Sequence, residues 1–249
     1  MNKISGSKTV DSISIPGTHD SGADVSPAGW VGTQDMSIIN QLNAGIRFLD
    51  IRCRHISNIF TIHHGSFYLN KNFDDVLQMV TQFLSQNPSE IVLMRVKEEH
   101  NPESNTRSFE ETFKTYYYKY SEFFWIYNNN DNPTLDMLRR KIVVLQDFST
   151  ISTLYGLKYN SFNIQDEYSV TVIPTKQSNI RDWYRKAGKT RRIINYLSGV
   201  GAFTPSIVAS YTNPYMLDLI VNNNPAYVGI IPADFPSSNL ILAVIRANY

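Results

Sequence analysis

The chain has 249 residues, of which 42% are hydrophobic, 12% aromatic and 18% charged, enough for a packed core and too apolar for a disordered chain. Its 23 Lys and Arg against 22 Asp and Glu leave a net charge of +1, without the basic excess of a dedicated nucleic-acid binder. A single cysteine, Cys53, excludes an internal disulfide and a cysteine-built zinc cluster.

Along the chain, short apolar and often β-branched runs predict strands at 12–15, 48–51, 60–62, 91–96, 142–145, 170–173, 207–209 and 228–231. Between them Phe73, Val76, Leu77, Val80, Phe83 and Leu84 fall at helical spacing, and Asn87-Pro88 closes that helix. Amphipathic helices are also expected over 104–120 and 180–197. Pro214 is expected to open another, running through Leu217 and Ile220. The longest wholly apolar run, 240–245, is far short of the ~20 residues of a membrane span. Eight strands alternating with helices over this length predict the α/β class, as a single distorted (β/α)8 TIM-type barrel forming one domain over 1–249. No signal-peptide core precedes the first structured segment. With a leader removed ahead of Met1 the protein would be extracellular; with Met1 native it would not be conventionally secreted.

A barrel of this kind carries its working residues just after the carboxyl ends of its strands. Five predicted strands do so here: they run into His19-Asp20, Asp50-Ile-Arg52, His63-His64, Lys97-Glu98-Glu99 and Asp234. His63 and His64 are adjacent in a strand, so they point to opposite faces and at most one faces the mouth. Asp50 in an apolar strand needs a partner, because burying an ion costs several kcal/mol. Arg52, two residues on and on the same face, is the candidate. Cys53 falls on the opposite face and reads as a small buried hydrophobe, while His55 and His100, in polar surroundings, read as structural or merely solvated. Two histidines with Asp20 and Asp50 could ligate a metal. Against this, the permanent cation of Arg52 in the same mouth repels a divalent ion and suits a phosphate. Two histidines flanking such an arginine suggest acid/base work on a phosphodiester.

At these residues the chain resembles the bacterial phosphatidylinositol-specific phospholipases C, the X-domain family. The resemblance rests on Ser14–Gly22 (SIPGTHDSG), Gly45–Arg52 (GIRFLDIR), His63–Leu69 (HHGSFYL), Phe83–Glu90 (FLSQNPSE), Gln165–Tyr168 (QDEY) and Val244–Asn248 (VIRAN), covering nearly the whole chain. It implies a distorted (β/α) barrel that releases diacylglycerol and inositol 1,2-cyclic phosphate by attack of the inositol 2-hydroxyl. By position, it implies His19 as general base oriented by Asp234, and His64 as general acid assisted by Asp20. Arg52 stands where metal-dependent relatives hold a calcium ligand, which implies catalysis with no metal and no cofactor. Lys97, Glu99, Asp166 and Tyr168 match positions that contact or flank the inositol ring. The family's ring-binding arginine is replaced by Asp147, which would change the hydrogen bonds offered to the headgroup. Trp30, in the segment 27–32, matches the membrane-facing rim and suits a lipid interface. The expected partner is phosphatidylinositol in membranes, met transiently by a monomer, with no nucleic acid. The competing readings are a catalytically silent inositol-lipid-binding module and a metal-dependent glycerophosphodiesterase or phospholipase D on a related barrel.

Overall fold

The computed structural model describes residues 1–25, 29–151 and 154–249. Strand β1 (Ile15–Thr18) leads into α1 (Ile38–Ala44). Strands β2 (Phe48–Ile56), β3 (Ile59–His64) and β4 (Phe67–Asn72) precede α2 (Phe73–Gln86), and β5 (Val92–Glu98) precedes α3 (Phe109–Lys119) and the single turn α4 (Leu135–Leu138). Next come β6 (Ile142–Asp147), β7 (Gly156–Lys158), β8 (Asn163–Gln165), the short β9 (Ser169–Val170) and α5 (Ile173–Ala187). The chain ends with β10 (Ile193–Asn195), β11 (Val200–Gly201), α6 (Pro205–Asn223), β12 (Ile230–Ala233) and α7 (Ser238–Arg246).

Eight parallel strands follow the order β7-β6-β5-β2-β1-β12-β10-β8, curling into the expected distorted barrel. No ladder joins β7 to β8 among the described residues, so the barrel keeps an open seam there. Strands β3 and β4 stand outside this set, as antiparallel additions to β2. Strands β9 and β11 form a small sheet of their own.

The period of two along each parallel strand sorts its side chains. Leu49, Ile51, Cys53, Val92, Met94, Val96, Ile142 and Val144 point outward into one core with α1, α2 and α3. Phe48, Leu93, Val143 and Leu145 point inward with Ile15, Tyr159, Tyr196 and Ile230. Higher on those inward rows the chemistry changes: Phe48 is followed by Asp50 and Arg52, Leu93 by Arg95 and Lys97, Leu145 by Asp147. Strand pairing sets Asp50 beside Arg95, and Arg52, Lys97 and Asp147 in line. The inside of the barrel is therefore apolar below and charged at its mouth.

The predicted helix after residue 73 is α2, where the Asp75 carboxylate accepts from the Asn72 backbone N–H at 2.7 Å. Helix α3 starts later than expected, where Ser108 and Glu111 form a reciprocal cap. Four expectations are corrected. The run 207–209 lies inside α6, which opens at Pro205 with Thr204 as cap, so Pro214 lies within that helix rather than at its start. Of 170–173, only Val170 is in a strand, because Pro174 in the first turn starts α5 at Ile173. The helix expected to reach 197 ends at Ala187, and Ile193 and Ile194 are buried in a barrel strand. The strands predicted at 12–15 and 228–231 lie some two or three residues further on, which sets His19 and Asp234 directly beyond their carboxyl ends.

Candidate active site

His19 leaves β1 and is pinned by its backbone. Its N–H donates to Ala233 O at 3.1 Å, and its carbonyl accepts from Gln34 Nε2 at 2.8 Å. Asp20 follows with φ of 40°, a strained conformation for a residue with a Cβ. The His19 Nδ1–H donates to Asp234 Oδ1 at 2.8 Å, while Arg52 Nη2 donates to His19 Nε2 at 2.8 Å. An arginine cannot accept, so this pair of contacts fixes the neutral tautomer with its lone pair on Nε2. Burial lowers the His19 pKa and Asp234 raises it, with Arg52 opposing; the balance lies above the ordinary 6.5.

Arg52 meets Asp50 Oδ2 through Nη2 at 3.2 Å, and Glu99 Oε2 lies 4.0 Å from its Nη1. Burial disfavours the Arg52 charge, but Asp50 and Asp20 more than offset that, so the guanidinium stays charged. Burial would equally raise the Asp50 pKa; Arg95 and Arg52 hold it far below the usual carboxylate range. Asp20, fully buried, goes the other way: desolvation raises it more than Arg52, His64 and His19 lower it.

His64 reaches the mouth by a different route from the other residues. Strand β3 runs antiparallel to β2, so the hairpin climbs past the mouth and His64 comes back down to it. The turn residues Ser57 and Asn58 have φ of 50° and 62°, as a tight two-residue hairpin requires. His64 Nδ1–H donates to Val31 O at 2.8 Å; Asp20 Oδ2 is 3.3 Å away without hydrogen-bond alignment. That leaves Nε2 as the atom free for chemistry. His63 is buried against Tyr68, as the alternation requires.

These side chains share one cavity of about 490 Å³, lined by His19, Arg52, His64, Arg95, Lys97, Glu99, Asp166, Tyr168, Ser198 and Asp234. Lys97 Nζ pairs with Glu99 Oε2 at 3.0 Å. Around it, both Asp20 oxygens, Ser198 Oγ and Asp234 Oδ2 are buried and make no hydrogen bond to protein groups. Asp20 and Asp50 lie beneath the lining rather than in it. Asp147, expected to face the headgroup, lies outside the lining too: its Oδ2 accepts from Arg95 Nε at 2.9 Å and Nη2 at 2.7 Å. Trp30 is 57% exposed; Pro27 and Ala28, in its segment, fall outside the described residues. Among the described residues, no group of three or more His, Cys, Asp or Glu side chains is placed to hold a metal ion. Arg95 was not singled out from sequence. An arginine inside the apolar run 91–96 carried the same signal as Asp50 in its strand, a buried charge in need of a partner.

The family profile described as phosphatidylinositol-specific phospholipase C, X domain, matches residues 19–147. The chain belongs to that family. It is 31% identical to a 1-phosphatidylinositol phosphodiesterase of Listeria monocytogenes over 100% of this chain and 84% of that protein. It is 30% identical to a Staphylococcus aureus protein of the same name, over 94% and 87% of the two chains. The solved phosphatidylinositol-specific phospholipase C from Listeria monocytogenes superposes with a TM-score of 0.88 at 30% identity, covering 100% of this chain and 97% of that one. The X-domain match starts at His19 and stops at Asp147. Asp166, Tyr168, Ser198 and Asp234 of this phospholipase C family member lie beyond it, yet the fold returns them to the same cavity.

Proposed function

We propose that the protein is a phosphatidylinositol phospholipase C that cleaves by internal attack, without a metal. The observation that carries this is the contact chain Asp234–His19–Arg52, in which a base with a fixed lone pair faces a phosphate-binding guanidinium. Arg52 Nη2 donates to His19 Nε2. A phosphate group takes those N–H donors through the guanidinium fork, and Nε2 is released to accept the proton of the inositol 2-hydroxyl. The hydroxyl oxygen bonds to phosphorus and the P–O bond to glycerol breaks. His64 Nε2, in its protonated form, gives its proton to the departing diacylglycerol oxygen. Inositol 1,2-cyclic phosphate remains. Arg52 meets the negative charge that gathers on the phosphoryl oxygens, the role a metal would otherwise fill. Its own charge, paired to Asp50, would repel a divalent ion from the mouth.

Lys97, Glu99, Asp166 and Tyr168 line the space beyond the phosphate and suit a polyhydroxylated ring. Exposed Trp30, Phe67, Tyr68 and Tyr168, all on segments adjoining the mouth, supply an aromatic rim for the bilayer interface. No helix among the described residues is long and apolar enough to cross a membrane.

Phosphorus NMR of an early reaction mixture in excess EDTA tests the proposal. A five-membered cyclic phosphate should appear before inositol 1-phosphate, and a 2-O-methyl lipid should stay intact. Direct formation of the acyclic phosphate would make water the nucleophile, and loss of activity in EDTA restored by calcium would overturn the role of Arg52.

A further inference from the structure

Arg95 is an unusual occupant of its strand. Its neighbours Val92, Leu93, Met94 and Val96 are fully buried, and Arg95 itself is only 5% exposed. Its guanidinium lies over the Tyr159 ring, 4.1 Å from the centroid. Nε and Nη2 each donate to Asp147 Oδ2, while Nη1 donates to Asp50 Oδ1 at 3.3 Å and to the Tyr196 hydroxyl at 3.2 Å. A guanidinium has five N–H groups, and these contacts use four. The fifth, on Nη2, has no acceptor among the described residues, and Arg95 lines the cavity.

Two carboxylates, a stacked ring and a phenol thus immobilise one cation with a single donor to spare. Asp147 faces a separate polar recess with Gln146, Ser149, Lys158 and Asn160 rather than the cavity. Its carboxylate grips the two atoms that set the rotation of the guanidinium plane. The anchored groups run in sequence across five adjacent strands: Asp147 on β6, Arg95 on β5, Asp50 and Arg52 on β2, His19 after β1, Asp234 after β12.

We propose that Arg95 is a specificity-determining residue that donates its remaining Nη2–H to a ring hydroxyl of the headgroup, and that Asp147 is the positioning residue that aims it. The inference rests on the phospholipase C reading above. It assigns recognition of the polyol to an arginine in the wall beside Arg52, which is left to the phosphate.

The test couples protein and substrate changes. Phosphatidylinositols lacking one ring hydroxyl other than the 2-hydroxyl are assayed with wild type, Arg95→Lys and Asp147→Asn. Wild-type cleavage of the parent lipid is the control, and its failure would fall on the phospholipase C reading alone. One deoxy lipid should cost wild type roughly tenfold to a hundredfold in kcat/KM, the worth of a hydrogen bond to a charged group. The same lipid should cost Arg95→Lys almost nothing further, and Asp147→Asn less than wild type. Both variants should raise KM on the parent lipid more than they lower kcat. Equal penalties in all three proteins for every deoxy lipid would overturn the proposal, as would a uniform fall in kcat, the mark of an arginine acting only through Asp50. Should Arg95→Lys fail to fold, Asp147→Asn carries the test, since Asp147 is at the edge of the barrel and 31% exposed.

Discussion

Arg52→Lys keeps the charge at the mouth and removes the fork, so it isolates geometry from electrostatics. Arg52 Nη2 serves both Asp50 Oδ2 at 3.2 Å and His19 Nε2 at 2.8 Å, with Nε a further 3.4 Å contact to Asp50. A lysine ammonium on a similar stem is a single point: held by Asp50, it cannot present the two parallel N–H donors of the guanidinium fork. Losing one hydrogen bond between charged groups in the transition state costs about 1.5–3 kcal/mol. At about 1.4 kcal/mol per decade, turnover should fall roughly 10–150-fold. The loss should appear in kcat, because the charge on phosphorus oxygens grows as the hydroxyl attacks. Initial rates on a short-chain soluble phosphatidylinositol, in EDTA, measure this without the complication of vesicle binding. A variant within threefold of wild type would show that the fork does not hold the phosphate.

Three further outcomes are expected. His19→Ala and His64→Ala should each lower turnover by at least ~10²-fold, the scale of general acid or base catalysis, whereas His63→Ala should cost far less; a more damaging His63→Ala would reverse the assignment. The acidic limb of the kcat/KM–pH profile should lie above 6.5, since His19 must be neutral to act and its pKa is raised. In Asp234→Asn that limb should move to lower pH as the plateau falls, because the carboxylate that favours the imidazolium is gone; an unmoved limb would assign it to another group. Phe60→Ala, which empties a site stacked between Phe109 and Tyr116, should lower unfolding free energy by about 3–5 kcal/mol in urea titration, and a loss below 1 kcal/mol would contradict the tight packing there.

Much of the site was legible because it is written in period-two rows. Phe48, Asp50 and Arg52 share a face, and their alternation with Leu49, Ile51 and Cys53 told which side was the barrel interior. The same alternation separated His64 from His63. Arg95 escaped because the apolar residues flanking it dominate the run, although Leu93, Arg95 and Lys97 repeat the pattern of β2. The strands at 163–165 and 193–195 were missed for another reason. They are three residues long, and their burial depends on partners distant in sequence, which local periodicity does not report. Within α6 the run 207–209 looked like a strand because β-branched residues can sit in a helix when its cap and first-turn proline fix the start.

The tandem histidines on β3 also bear on how the hairpin tolerates insertion. Strand β3 lies outside the barrel path and is registered only against β2 and against β4, where the pairing already shifts between Thr61 and His63. A strand slipped by one residue turns every side chain to the opposite face. Here such a slip would swing His64 away and bring His63 round, so the mouth would still present an imidazole. What it would lack is orientation, because the Val31 carbonyl that directs the ring belongs to the loop after β1 and does not travel with the hairpin. A lengthened 57–58 turn should therefore yield an enzyme that is impaired yet retains residual acid catalysis, rather than one with no acid at all.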